Sequence, residues 1–416
     1  MSLSERISSL QPSATLAVTG KAKQMKASGI DVLSFAAGEP DFVTPQRIID
    51  AAKRALDYGR TGYAPVPGVP EAREAIAWKL REENEIVGVT PEHVMVSVGG
   101  KGGLYCLFQS LFDEVQDDSR RGELLLPVPA WVSYAPVAQL AGGRVVEIET
   151  DGANDFKMTP EQLRDAITPN SRALVLNSPS NPCGTMYTPD DLRALAEVVR
   201  EHPDLIVISD EIYEKIIYGG INHLSIGSLE SIADRVITVG GMSKAYAMTG
   251  WRLGYVAASG DRGLELVRAC CRLQSQMATG PATFCQLAIP TALHECGDDV
   301  ERMRQAFAQR AELIYERLCA IEGVTCPRPT GAFYAFPDVS SFFGAVSAGG
   351  RVIESALDFA SALLEEHHVA AVPGEAFGGV GRNCVRFSFA CSDEDITRGM
   401  ERLGAFVAGL RQDSPV

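Results

Sequence analysis

The sequence predicts an α/β fold. A large domain carries a mostly parallel, seven-stranded sheet covered by helices, and a smaller α+β domain follows it. Three observations predict this. Seven short runs rich in β-branched and aliphatic residues recur between positions 94 and 257, with helical stretches between several of them. That alternation builds a parallel sheet with helices on both faces. Beyond about Val300 the apolar pattern changes to helical spacing and then to shorter strands. Finally, 416 residues, 46% of them hydrophobic, exceed one ordinary compact domain and suit two.

The elements follow in order. The strand-like runs are Val94–Val98, Glu123–Leu126, Val145–Glu149, Ala173–Leu176, Leu205–Ser209, Val236–Val239 and Gly254–Ala257, with a helical stretch such as Pro189–Arg200 between neighbours. Val300, Met303, Phe307, Ile314, Leu318 and Ile321 keep helical spacing, and Gly323 is a stop signal. Shorter strands follow at Ala332–Phe336, Val369–Val372 and Asn383–Phe389, with a helix near Val352–Glu366. We therefore expect a large domain over residues 47–300 and a small domain made of 1–46 and 301–416, the first forty or so residues packing with the latter. There is no internal repeat, low-complexity tract or long linker.

Composition excludes several functions. A formal net charge of −15 and a pI near 5.0 argue against a nucleic-acid binder, which needs a basic face. They leave room for an acidic substrate, because one pocket can be basic on an acidic protein. No apolar window approaches the ~18 residues of a membrane span, and the N-terminus lacks a signal-peptide pattern, so the expected location is the cytoplasm. The ten cysteines form no C-x-x-C pair, and Cys270–Cys271 is too local for a metal knuckle. His367–His368, after two glutamates, reads as a solvated helix end. No metal is expected, and the thiols should be free.

In open α/β sheets ligands bind beyond the carboxyl ends of the strands, and four such ends are unusual. After Val94–Val98 come Gly99, Gly100, Lys101 and Gly102, small residues at a helix start that can expose backbone N–H groups to an anion; such turns are also common without a ligand. After Ala173–Leu176 come Asn177, Ser178 and Asn181-Pro182, a rigid turn or a fixed amide. After Leu205–Ser209 come Asp210 and Glu211, with Tyr213 three residues on. A carboxylate at a buried strand end needs a cationic partner, although a helix N-cap is the plainer reading. After Val236–Val239 come Gly240, Gly241, Ser243 and Lys244, with Arg252 eight residues beyond the lysine. Taken alone, such a lysine would be exposed.

Together the four ends supply one chemistry. A lysine forms an imine with an aldehyde cofactor, and an aspartate keeps a pyridine nitrogen protonated so that the ring takes up electrons. An arginine and a helix N-terminus hold a phosphate. An asparagine and a tyrosine hydrogen-bond the ring oxygen, and nearby cations favour loss of a proton from the lysine.

At this point the sequence resembles the fold-type I pyridoxal-phosphate aminotransferases of class I, in particular the branch of bacterial aspartate and aspartate/prephenate aminotransferases. The resemblance runs from PSATLAV (12–18) to VRFSFA (385–390). It includes AAGEPDF (36–42), TGYAPVPG (61–68), PAWVSY (129–134), NSPSNPCG (177–184), SDEIY (209–213), SKAYAMTGWRLGY (243–255), PTGAFY (329–334) and VPGEAFG (372–378). Several motifs in the right order are specific; SDEIY alone is not.

The resemblance implies an aspartate aminotransferase-like fold, pyridoxal 5′-phosphate as cofactor, and a ping-pong transfer of the amino group of aspartate or glutamate to a 2-oxo acid such as 2-oxoglutarate. It implies that Lys244 is the imine-forming lysine and proton shuttle, and that Asp210 pairs with the pyridine nitrogen. Asn181 and Tyr213 contact the ring oxygen, Trp131 stacks on the ring, and Arg252, Ser243 and the backbone of Gly100, Lys101 and Gly102 bind phosphate. Arg386 would fork onto the substrate α-carboxylate, with the Gly38 backbone closing over it and Trp131 and Asn181 beside it. Tyr63 would reach the neighbouring subunit's phosphate, which makes a homodimer with shared sites. Lys101 would read a distal carboxylate, with the Ser13/Thr15 segment closing over it.

Three positions depart from the family pattern. Gly241 replaces a phosphate-binding serine, Ala130 stands where tyrosine is frequent, and Gln11 replaces a lysine of prephenate-competent relatives. Alternative readings are an aromatic or prephenate aminotransferase and a C–S lyase or cyclopropane-forming synthase on the same scaffold. A pyridoxal-phosphate-sensing regulator is the non-enzyme alternative. It would carry a DNA-binding domain, and only some thirty weakly basic residues precede AAGEPDF.

Overall fold

The structure, a computed structural model, describes residues 4–8, 10, 14–115 and 117–412. Gln11 and Ser13 lie outside the described residues. Among the described residues no helix is long and apolar enough to cross a membrane, and no two cysteines are joined.

An N-terminal helix, Ala14–Ala27, leads to a short strand, β1 (Leu33–Ser34). Seven strands then form the central sheet: β2 (Val94–Val98), β3 (Glu123–Val128), β4 (Arg144–Glu149), β5 (Ser171–Asn177), β6 (Ile206–Asp210), β7 (Val236–Gly241) and β8 (Leu253–Ala258). Their spatial order is β2-β8-β7-β6-β5-β3-β4. All neighbours run parallel except β8, which is antiparallel to both β2 and β7. Apart from exposed Arg172 on β5 and the half-polar edge strand β4, the strands are buried on both faces (β6 reads Ile-Val-Ile-Ser-Asp, all buried). Continuous burial is what helices on both faces of a parallel sheet impose.

Helix Pro189–Arg200 has the predicted bounds because Thr188 caps it, its hydroxyl accepting from the Asp191 amide while the Asp191 side chain accepts from the Thr188 N–H. The helix after β2 begins at Gly99, directly after the strand. Gly99 sits at φ +67, and its N–H donates to the Arg252 carbonyl at 2.9 Å, so the chain turns at once.

The C-terminal part packs around its own core of Phe307, Phe333, Phe359 and Phe387. Helix Gly297–Cys319 carries the predicted apolar stripe and is followed by Gly323 at φ +88. The strands here are shorter than the sequence suggests: Tyr334–Ala335, Val369–Ala370, Val372–Pro373 and Val385–Ser388. They change partners at Ala371: Val369–Ala370 pairs with β1, and Val372–Pro373 pairs with Val385–Ser388. The predicted helix near Val352 starts at Ala356, where Ser355 caps it by accepting from the Asp358 amide. His367 ends this helix half-buried against Phe406, ring centroids 5.5 Å apart, and so is not a solvated tip. Through β1 and the buried Phe35, which packs at 5.8 Å on Phe387, the N-terminal segment joins this C-terminal core.

Candidate active site

A cavity of about 500 Å³ lies at the carboxyl ends of β2, β5, β6 and β7, where the sheet meets the C-terminal layer and the N-terminal helix. It collects most of the residues singled out from sequence: Gly38, Gly100, Lys101, Trp131, Asn181, Asp210, Tyr213, Ser243, Lys244, Arg252 and Arg386 all line it.

Lys244 follows β7 in a tight turn and is half-buried at the cavity wall. Burial lowers its ammonium pKa to about 8; Arg386 and Arg252 push the same way, while Glu39 and Asp210 oppose them. Its Nζ donates to the Gly38 carbonyl and stands 5.6 Å from the centre of the Tyr213 ring. Asp210 ends β6 and faces into the cavity rather than capping a helix. Burial raises its carboxyl pKa to about 6, held down by the Tyr134 hydroxyl, which donates to Oδ2 at 2.7 Å, and by the Ile212 N–H on Oδ1 at 3.3 Å. Tyr213 and Tyr334 share a hydroxyl contact of 2.8 Å beside it.

Arg386, on strand Val385–Ser388, is only 2% exposed. Its Nη1 donates to Asn181 Oδ1 at 3.0 Å and its Nη2 to the Ala36 carbonyl at 2.8 Å, while Nε is buried without a partner. A buried guanidinium with a free donor is an anion site waiting to be completed. Arg252 adopts φ +58 and holds the Thr249 carbonyl at 2.7 Å through Nη1. A Cβ on Gly99 would stand 2.6 Å from Arg252 Nη2, so glycine lets the guanidinium and the helix start approach one another. Lys101 Nζ lies 4.8 Å from the centre of the Trp131 ring, its pKa lowered by burial and by Arg252.

Two sequence candidates are not in the cavity. Gly102 faces away from it: a Cβ added there would meet the Val98 side chain at 3.4 Å, while Gly100, Lys101 and Leu104 of the same helix line the cavity. Tyr63 is 96% exposed and lines a separate groove with Thr283 and Gly280, away from its own chain's cavity. Of the departures, Gly241 has a steric cause: a Cβ there would meet the Leu253 carbonyl at 2.8 Å and the Gly254 Cα at 2.9 Å on β8. Ala130 lines a small space beside Tyr134, Asn177 and Asn181.

A family profile described as aminotransferase class I and II matches residues 30–403. The chain belongs to that family. It is 44% identical over 408 residues to the aspartate aminotransferase of Geobacillus stearothermophilus, covering 98% of this chain and 99% of that one. It is 43% identical over 409 residues to the aspartate/prephenate aminotransferase of Cereibacter sphaeroides, with 98% and 99% covered. The crystal structure of the aspartate aminotransferase from Rhizobium meliloti superposes with a TM-score of 0.92 at 36% identity, over 99% of this chain and 100% of that one.

Aminotransferases of this family are pyridoxal-phosphate enzymes, and this chain is one of them. Its cavity fits the cofactor. A half-buried amine, a buried carboxylate near it, the Gly99 cradle beside Arg252 and the orphaned Arg386 Nε match an aldehyde, a pyridine nitrogen, a phosphate and a substrate carboxylate in turn.

Sequence reading missed several lining residues. Tyr134 sits inside the PAWVSY motif but gave no signal of its own until its hydroxyl met Asp210. Tyr334, at the end of PTGAFY, meets Tyr213 from 121 residues away. Leu16, Thr19 and Lys23 share one face of Ala14–Ala27, and Glu39 accepts from the Thr249 hydroxyl at 3.0 Å across the cavity mouth. Behind the cavity His223 meets Glu211 at 3.2 Å and Glu214 at 3.9 Å, a grouping that the sequence separation of the histidine conceals. Lys79 pairs with Glu214 in the same cluster.

Proposed function

We propose that this aminotransferase takes its amino group from aspartate or glutamate and delivers it to a 2-oxo acid such as 2-oxoglutarate. One observation carries the choice of an acidic donor: the cavity holds more cations than the cofactor and an α-carboxylate require. Lys23, Lys101, Lys244, Arg252 and Arg386 face Glu39 and Asp210. With Arg252 on phosphate and Arg386 on the α-carboxylate, Lys101 is left over the Trp131 ring with no carboxylate partner among the described residues. A second carboxylate on the substrate supplies one.

When bound, pyridoxal phosphate supplies an aldehyde to which an amine can join and a ring that accepts the electron pair of the substrate's breaking C–H bond. The chain does the rest. Asp210, ionised, holds a proton at the ring nitrogen. Lys244 Nζ takes a proton from the substrate α-carbon and returns it on the other side of the transfer, a task for which its lowered pKa suits it. Asn181 and Tyr213 would hydrogen-bond the ring oxygen, Trp131 would cover the ring, and Arg252, Ser243 and the Gly100–Lys101 backbone would hold phosphate. Gly38 closes over the α-carboxylate.

The exposed Tyr63 supports a homodimer in which it reaches the neighbouring subunit's phosphate. We place the enzyme in the cytoplasm and read residues 47–300 as the cofactor domain, with 1–46 and 301–416 closing over the substrate. The aspartate/prephenate relative favours a second reading, a prephenate-type donor. A half-reaction screen tests both. Holoenzyme is mixed with each amino acid, and conversion of the bound aldehyde to pyridoxamine phosphate is followed by absorbance. Aspartate and glutamate should convert fastest. Fastest conversion by an aromatic donor would replace the acidic reading, and release of sulfide or ammonia without conversion would replace transamination by a lyase.

A further inference from the structure

The turn after β6 has two faces. Asp210, Ile212 and Tyr213 line the cavity, while Glu211 and Glu214 point away from it into a buried polar cluster. Glu211 is 2% exposed. Its Oε1 accepts from the Ser209 hydroxyl at 2.8 Å and the Ser225 hydroxyl at 2.7 Å, and its Oε2 meets Asn84 Nδ2 at 3.1 Å and His223 Nε2 at 3.2 Å. The Asn84 amide also donates to Glu214 Oε2 at 2.7 Å and accepts from Lys79 Nζ at 2.6 Å, and Lys79 in turn pairs with Glu214. Lys79 lies on helix Pro70–Glu82 and Asn84 just beyond it, so the cluster ties the back of the turn to an element far from it in sequence.

None of these groups reaches the cavity, yet every one is buried or half-buried, and the Glu211 carboxylate is saturated with donors. Buried polar clusters that are fully satisfied hold one geometry, whereas a partly satisfied one is costly. Here the geometry held is that of the Asp210–Tyr213 turn. The Ile212 N–H that steadies Asp210 Oδ1 is one residue from Glu211, and Glu214 donates its own N–H to the Glu211 carbonyl at 3.0 Å.

We propose that Glu211 is a positioning residue for the reaction. Bound from behind by Ser209, Ser225, Asn84 and His223, it fixes the turn so that the Asp210 carboxylate stands square to the cofactor's ring nitrogen and Tyr213 stands beside it. This rests on the role given above to Asp210, and it is independent of which amino acid is the donor. Glu211 also carries charge: its carboxylate raises the Asp210 pKa, with Lys79, His223 and Glu214 as the surrounding charges. Anchoring and charge are separable by substitution.

The test uses holoenzyme prepared with pyridoxal phosphate labelled with 15N at the ring nitrogen, in wild type, Glu211→Ala, Glu211→Gln, Asn84→Ala and Asp210→Ala. Two readouts are taken, the cofactor dissociation constant and the 15N resonance, which reports ring-nitrogen protonation. Glu211→Ala and Asn84→Ala should weaken cofactor binding about tenfold, the equivalent of one pKa unit, and move the resonance toward its unprotonated position. Glu211→Gln, which keeps the shape and most of the hydrogen bonds, should recover most of both. Asn84→Ala leaves both carboxylates in place, so it decides the matter even where Glu211→Ala fails to fold. Folded Glu211→Ala or Asn84→Ala with unchanged affinity and resonance, against a shifted Asp210→Ala, would reduce Glu211 to a stabilising role and overturn the proposal. An unshifted Asp210→Ala would instead remove the role of Asp210 itself.

Discussion

The amine of Lys244 should titrate near pH 8 in the enzyme freed of cofactor, against an ordinary value of 10.5. Burial is the largest cause, followed by Arg386. At pH 7.5 an amine of pKa 8 is free in about a quarter of molecules, and one of pKa 10.5 in about a thousandth, a gain of roughly 200-fold in reactive base. The shift also acts on stability. Because the folded state lowers the pKa, the charged amine is disfavoured on folding by about 3 kcal/mol. That penalty is absent above pH 10.5, grows as pH falls toward 8, and is complete below it. Competitive acetylation of the apoenzyme across pH 6–11, with Lys244 followed by mass spectrometry, measures the inflection directly. Arg386→Gln removes the cation with the larger effect and should move the inflection upward. An inflection at or above pH 10 in the wild type would refute the account of the cavity as a desolvated, cationic site.

Three further outcomes are expected. Lys101→Ala should raise KM for aspartate about tenfold or more, the value of a charge-assisted hydrogen bond, while leaving a neutral donor nearly unchanged; steady-state kinetics on both donors checks it, and equal effects would take Lys101 out of specificity. Tyr134→Phe deletes the hydroxyl on Asp210 Oδ2, so the apoenzyme's Asp210 should titrate above its value of about 6, read by carboxyl 13C shifts, and cofactor affinity at neutral pH should fall. Gly184→Ala, in the NSPSNPCG segment, places a Cβ against the Tyr334 carbonyl at φ +71 and should cost a few kcal/mol in urea unfolding.

Much of the fold was legible because burial leaves a one-dimensional trace. β6 lies inside the sheet and reads as an unbroken apolar run ending in Ser209-Asp210, and Thr188-Pro189 announces its helix by the cap alone. The shorter C-terminal strands left a weaker trace: Val369–Val372 reads as one strand but serves two sheets, because a two-residue strand takes its partner from tertiary packing.

The site divides the same way. Lys244, Asp210, Asn181 and Arg252 stand at strand ends, where their residue types and order already state the chemistry. Arg386 was implied by resemblance, yet only its burial shows the unpartnered Nε that an anion would complete. What Lys244 became depended on the third dimension altogether. By sequence it was a lysine just past a strand, a place where lysines are normally exposed. Its depth, the two arginines beside it and the carboxylate behind it come from segments up to 142 residues away, brought together only when the sheet and the C-terminal layer pack. The types of the reacting groups were written along the chain. Their electrostatics were not, because a pKa depends on burial and on neighbours in space, and neither is a property of sequence position.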